Sequence, residues 1–195
     1  MSELTDAPSK NDLRAAALAR RLALSEAERA AAATAIAARG LPFALPPNAV
    51  VSGYAPIRGE LDPKPLMRAL AACGARLALP AVEQPGLPLR FRAWQPGDTL
   101  QRSSLGIDEP RRDAPELIPD ILLVPLAAFD ALGHRIGYGA GYYDRTLDAL
   151  RATRPVVTMG LAFAVQQIAA VPAAAHDVAL DYVLTERETL IFRSR

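Results

Sequence analysis

The stretch ILLVPLAAF, residues 121–129, runs for nine residues without a charge or a polar side chain. It is too short to cross a bilayer, and it leaves no face for water. A strand of a parallel sheet has this composition when helices shield it above and below. One such strand commits the chain to helices on both sides of a sheet. The remaining sequence agrees, because strand-like and helix-like stretches alternate over most of the 195 residues. The expected class is α/β, and a chain of this length is most simply one domain, 1–195.

Capping signals place two helices in the first forty residues. Ser9 is followed by Asp12, Ser25 by Glu28, and Gly40 and Pro42 close the second helix. Strands are expected at 49–54, 76–80, 89–94, 121–129, 156–163 and 182–185. Helices are expected at 65–73, 142–152 and, briefly, 165–170. The stretch 89–94, LRFRAW, alternates apolar and basic residues and should be a strand with one exposed face. Residues 95–119 carry Pro, Gly, Asp and Ser and read as an excursion with little regular structure.

Formal net charge is +1, so no global field recruits nucleic acid or an acidic membrane surface. No apolar run reaches the ~20 residues of a bilayer span, and the amino terminus has no apolar signal core. Cys73 is the sole cysteine, which excludes an internal disulfide and a multi-cysteine metal site. Its apolar, helix-like surroundings read as core. A cytoplasmic enzyme or binding protein, acting as a monomer, is the expectation.

Beyond the apolar strand lies GYGAGYYD, residues 137–144. Ligands of open α/β sheets collect beyond the carboxyl ends of strands, so this loop is the leading site candidate. Its G-x-G-x-G spacing puts Tyr142 where a dinucleotide fingerprint wants a third glycine, and no Walker sequence exists. What remains is a wide glycine loop at a helix start, with amides that can hold phosphate oxygens. Arg135 and Arg145 flank it, and guanidinium forks suit phosphate. Asp144 either complements the helix dipole or meets a divalent cation lying between it and phosphate. Lys10 and Arg14, one helical turn apart, form a phosphate clamp or a solvated face. Glu60 follows a strand end and could reach the same cleft. Asp177 lies in a late loop beside His176, and His134 falls in a turn.

These residues resemble the 5-formyltetrahydrofolate cyclo-ligases. VPLAAFDALGHRIGYGAGYYDRTL is similar to the family's central signature. Lys10 and Arg14 are similar to its amino-terminal K-x-x-x-R, and Tyr54, Pro56 and Glu60 to its Y-x-P-x-x-x-E. LGIDEP at 105–110 and HDVALDYVLTE at 176–186 complete the match, which covers nearly the whole chain. The resemblance implies a single three-layer α/β/α domain with a mostly parallel sheet. It also implies an ATP- and Mg²⁺-dependent closure of 5-formyltetrahydrofolate to 5,10-methenyltetrahydrofolate. In that reaction ATP phosphorylates the formyl oxygen, N10 attacks, and phosphate leaves. Carried over residue by residue, Lys10, Arg14 and the stretch Arg135, Ile136, Gly137, Tyr138, Gly139, Ala140, Gly141, Tyr142 and Tyr143 would bind ATP. Ala55, Glu60 and residues 138–142 would contact the folate, and Asp144 and Asp177 would hold Mg²⁺. A direct catalytic part would fall to Arg145 and Tyr143. Ala140 departs from the family pattern, where lysine or glycine is common.

Two other readings compete. Related α/β domains serve as ligand sensors, yet the sequence has no output module and no recognition-helix charge pattern. A sugar-phosphate isomerase would use a similar loop and would need no ATP.

Overall fold

Alternate residues of a strand face opposite ways, and the apolar run uses this to build two cores. The computed structural model describes residues 8–172 and 178–192. The chain opens with α1 (Lys10–Leu22) and α2 (Glu26–Arg39). Each begins with a reciprocal capping box. The Ser9 hydroxyl accepts from the Asp12 N–H at 3.2 Å, and the Asp12 carboxylate takes the Ser9 N–H at 3.1 Å. Ser25 and Glu28 repeat the arrangement at 3.2 and 2.7 Å, so amides with no partner inside the helix are satisfied. Then follow β1 (Val50–Ser52), α3 (Lys64–Ala72), β2 (Arg76–Ala81), β3 (Arg90–Ala93), β4 (Leu100–Arg102), β5 (Asp108–Pro110) and β6 (Ile121–Pro125). The last elements are β7 (Ala128–Phe129), β8 (Arg135–Ile136), α4 (Tyr142–Arg151), β9 (Val157–Leu161), a 3₁₀ turn (Ala164–Gln166), β10 (Tyr182–Leu184) and β11 (Thr189–Ile191).

Seven strands form the central sheet in the order β11-β10-β9-β6-β1-β2-β3. The five inner strands are parallel, and β3 and β11 pair antiparallel at the edges. Ile121 and Leu123 of β6 pack with Val51, Leu79 and Met159 beneath α2 and α3. Leu122 and Val124 point the other way, into a second core with Leu147 of α4. The result is an α/β/α sandwich. Each fully buried Leu or Ile stabilises it by ~1.5–3 kcal/mol.

Several elements differ from the sequence expectation. The run 121–129 is not one strand. β6 stops at Pro125, Leu126 and Ala127 turn the chain, and residues 128–129 pair with β8. All except half-buried Pro125 are buried, so the apolar run reports burial and not extension. Residues 95–119 contain the β4–β5 hairpin, turned at Ser103–Gly106, where the Gly106 N–H donates to the Ser103 carbonyl at 2.9 Å. The short helix expected at 165–170 is one 3₁₀ turn, and β11 was not anticipated. Cys73 is exposed: α3 ends at Ala72, and the cap residue leaves the packed face.

Helix α1 belongs to neither main core. Leu13 and Ala17 pack on Ala128, Ile136, Ile168 and Val171, in segments that lie beyond the carboxyl ends of the strands. The strand order also reverses here. The chain steps from β1 to β2 in one direction, then returns to place β6 on the other flank of β1. Ligands of open α/β sheets collect at such a switch point, here between the loops that leave β1 and β6.

Candidate active site

The loop after β1 buries an acid. Glu60 is 8% exposed, and its Oε2 accepts the Ile57 N–H at 2.8 Å. Arg58 and Gly59 make the tight turn with φ of 51° and 75°. Burial pushes the Glu60 carboxyl above the usual glutamate range. The Ile57 N–H, the Tyr138 hydroxyl and the charges of Arg21 and Arg58 pull it partly back. Tyr54, at the same strand end, is buried and donates to the Leu61 carbonyl at 2.7 Å. Ala55 follows it, half-buried.

The segment after β6 is tied to a buried acid before it becomes glycine-rich. Buried Asp130 accepts the N–H groups of Leu132, His134 and Val171 at 2.9–3.0 Å, and it lies 3.1 Å from His134 Nδ1. Burial opposes its ionisation, but these donors outweigh burial and hold its carboxyl below the usual aspartate range. His134 thus sits in the expected turn and serves that turn. Arg135, 7% exposed, donates to the Val178 carbonyl and to the Asp144 carboxylate.

The three glycines behave differently. Gly139 and Gly141 adopt φ of 95° and 65°, where an L side chain is strained. Gly141 caps α4 without a side-chain hydrogen bond, so no cap side chain accepts from the first amides of that helix. A Cβ placed on Gly137 would meet nothing within 4 Å, so its bareness keeps space open and does not serve packing. Ala140 is exposed on the same loop.

Helix α1 closes the far side. Arg14 Nε donates to the Gly137 carbonyl at 2.7 Å and its Nη1 to Asn11 Oδ1 at 2.6 Å. Lys10 is the first residue of α1, half-buried, one turn before Arg14. Arg21 reaches the Tyr138 hydroxyl at 2.5 Å and the Arg58 carbonyl at 2.8 Å. The sequence reading missed Arg21. Its seven-residue spacing from Arg14 puts both on one helix face, which is the one signal that could have found it.

At the head of α4, Arg145 donates to the Ala140 carbonyl at 2.7 Å and lies 5.4 Å from the centre of the Tyr142 ring. Its Nε is buried without a partner among the described residues. Burial pushes the phenols of Tyr138 and Tyr143 well above the usual range. Both remain neutral O–H donors at any physiological pH. Thus contacts link Arg14, Glu60, Arg135, Tyr138, Tyr142, Tyr143, Asp144 and Arg145 at the carboxyl-terminal end of the sheet. Asp177 and His176 lie outside the described residues. Among the described residues no group of three or more His, Cys, Asp or Glu could hold a metal. Among the described residues Asp144 contributes one carboxylate, which fits Mg²⁺ because this ion is commonly held by one or two carboxylates beside oxygens from phosphate and water.

A sequence model of the 5-formyltetrahydrofolate cyclo-ligase family matches residues 6–186. The 5-formyltetrahydrofolate cyclo-ligase of Mycolicibacterium smegmatis is 34% identical over 195 residues, covering 94% of this chain and 96% of that one. The Escherichia coli protein of the same name is 37% identical over 134 residues, covering 65% of this chain and 72% of its own. Among solved structures, the Aquifex aeolicus 5,10-methenyltetrahydrofolate synthetase superposes with TM-score 0.79 at 30% identity, over 95% of this chain and 94% of that one. No helix among the described residues is long and apolar enough to cross a membrane.

Proposed function

The chain belongs to the 5-formyltetrahydrofolate cyclo-ligase family, and from that premise we propose that it closes 5-formyltetrahydrofolate to 5,10-methenyltetrahydrofolate with ATP. One observation carries the reading at this site. The glycine loop, with its bare Gly137 and Gly141, and the loop that buries Glu60 meet at a single switch point, where Tyr138 lies between them. Two dissimilar reactants are thereby brought together, which is what a phosphoryl transfer from nucleotide to folate requires.

The formyl oxygen attacks the γ-phosphorus and ADP leaves. The N10 lone pair then attacks the formyl carbon, the C–O bond breaks, phosphate departs and N10 loses its proton. Lys10, Arg14, Arg135 and the amides of residues 136–143 take the phosphates. Glu60, Ala55 and residues 138–142 take the folate, the carboxylate accepting from the N–H edge of the pterin. Arg145, whose buried Nε has no protein partner among the described residues, would offset charge developing on the transferring group. The neutral Tyr143 hydroxyl is suited to donating a hydrogen bond and not to accepting a proton. Asp144, with Asp177, would hold a Mg²⁺ that offsets phosphate charge. Both substrates are cellular metabolites, so the reaction is placed in the cytoplasm. No protein nucleophile is needed, because positioning and electrostatics carry phosphoryl transfer.

The test is the absorbance of the methenyl chromophore after mixing protein with 5-formyltetrahydrofolate. Product is expected with MgATP and not without nucleotide. Product formed equally without ATP, or none with it, would overturn the reading.

A further inference from the structure

Arg21 is 1% exposed, and a cation so far from water needs compensation. It receives little from the fold. Two of its guanidinium nitrogens donate, one to the Tyr138 hydroxyl and one to the Arg58 carbonyl. Its Cζ lies 5.7 Å from the centre of the Tyr138 ring. Its Nε is buried with no acceptor among the described residues. The carboxylate that feels its charge is Glu60. A buried arginine is a poor stabiliser, since an apolar side chain of similar volume often serves as well or better. What an apolar side chain cannot do is hold oxygens of two separate loops at a fixed distance. The tyrosine it holds belongs to the glycine loop, and the carbonyl belongs to the turn that leads into Glu60.

We infer that Arg21 is a positioning residue for the folate half of the site, a strut from α1 that fixes Tyr138 and the Arg58 turn on either side of Glu60. The inference rests on the assignment of Glu60 to the folate. Arg14 and Arg21 divide the work along one helix face. Arg14 holds the Gly137 carbonyl, Arg21 holds the neighbouring Tyr138, and fully buried Ala17 between them lets the helix backbone come close. The groups facing Glu60 are Arg21 from α1, Tyr54 beyond β1, Arg58 in its own loop, Tyr138 from the glycine loop and Tyr143 from α4. Arg21 and Arg58 are the cations among them.

The experiment compares wild type, Arg21→Met and Arg21→Lys in steady-state kinetics on both substrates, with the pH profile of kcat/KM for folate. Arg21→Met should raise the folate KM about ten-fold or more while the ATP KM stays within about two-fold. Its acid limb should move to higher pH, because a charge that favours the Glu60 carboxylate is gone. Arg21→Lys keeps the charge but one ammonium cannot span both oxygens. It should therefore restore the acid limb and leave the folate KM raised. Equal rises in both KM values, or an acid limb the same in the two variants, would overturn the inference. Should Arg21→Met fail to melt cooperatively, Arg21→Lys carries the test, and a wild-type folate KM in that variant defeats it. A wild type that forms no methenyl product would sink the reaction assignment alone. Calorimetric titration of 5-formyltetrahydrofolate into wild type and Arg21→Lys would then decide, unchanged affinity overturning the strut.

Discussion

At the amino-terminal rim of the sheet, Asp120 takes the Val50 N–H at 2.8 Å and pairs with Arg154. Asp181 takes the N–H and hydroxyl of Thr158 at 2.7 and 2.8 Å, with Arg151 at 3.4 Å. A cavity of about 390 Å³ lies beside these residues, yet its charges are paired with one another. At the carboxyl-terminal rim the arrangement is reversed. Glu60 is buried with its carboxyl pushed upward, and Arg21 and Arg145 each hide a nitrogen with no partner among the described residues. The third such atom, Trp94 Nε1, lies at the amino-terminal rim beside Leu77 of β2, but the indole carries no charge. Charge that satisfies itself ties strand ends together, whereas charge left under-satisfied is kept for something that arrives later. The two rims use similar residues for opposite ends.

The sharpest way to break this contrast is Glu60→Gln, which should raise the folate KM roughly ten- to a hundred-fold and leave ATP affinity nearly unchanged, as calorimetry would read. Stability should move the other way. Folding disfavours the ionised Glu60, so its burden is absent below the usual glutamate range and grows as pH rises through the raised value. The melting temperature of Glu60→Gln relative to wild type should therefore improve between acid and neutral pH. A relative loss on that climb would mean the carboxylate is well satisfied.

The opposite rim should answer in stability alone. Asp120→Ala strands the Val50 N–H and should cost about 1–2 kcal/mol in urea unfolding, with both KM values unchanged. A kinetic defect there would erase the distinction between the rims. A finer probe is Gly137→Ala, since the added Cβ meets no protein atom within 4 Å. Melting should shift by little, while the ATP KM rises about three- to ten-fold because, on the proposed reading, the methyl enters the space a phosphate takes. The smallest effect is expected from Lys10→Ala, a rise of about two- to five-fold in the ATP KM with no measurable change in stability. Unchanged ATP kinetics would remove Lys10 from the site.

Much of the architecture was legible because its signals are local. Ser9–Asp12 and Ser25–Glu28 start their helices through contacts three residues apart, and the apolar run marked the buried centre of the sheet. What failed was the shape of that run. Leu126–Phe129 are as buried as Ile121–Val124, and apolarity cannot tell a strand from a buried turn. The β4–β5 hairpin hid for the opposite reason: Gln101, Arg102 and Asp108 are exposed and print no alternation. Of the site, the glycine loop, Glu60 and the flanking arginines stood out by residue type and order. Arg21 did not, because in an arginine-rich helix it looks like one more solvated cation. Its burial is decided by Tyr138, 117 residues further on.

That separation has a bearing on how the protein is made. Helix α1 leaves the ribosome before any strand of the sheet, and its capping box and alanines let it form early. Its anchors emerge much later: Gly137 lies 123 residues after Arg14, and Val165 lies 145 after Arg20, whose Nε donates to that carbonyl at 2.7 Å. Contacts so distant in sequence close late, after the loop entropy between them has been overcome. During synthesis the sheet can therefore assemble while α1 waits outside it. The helix that braces both loops is among the last pieces to dock, and the candidate site takes its working shape only when it does.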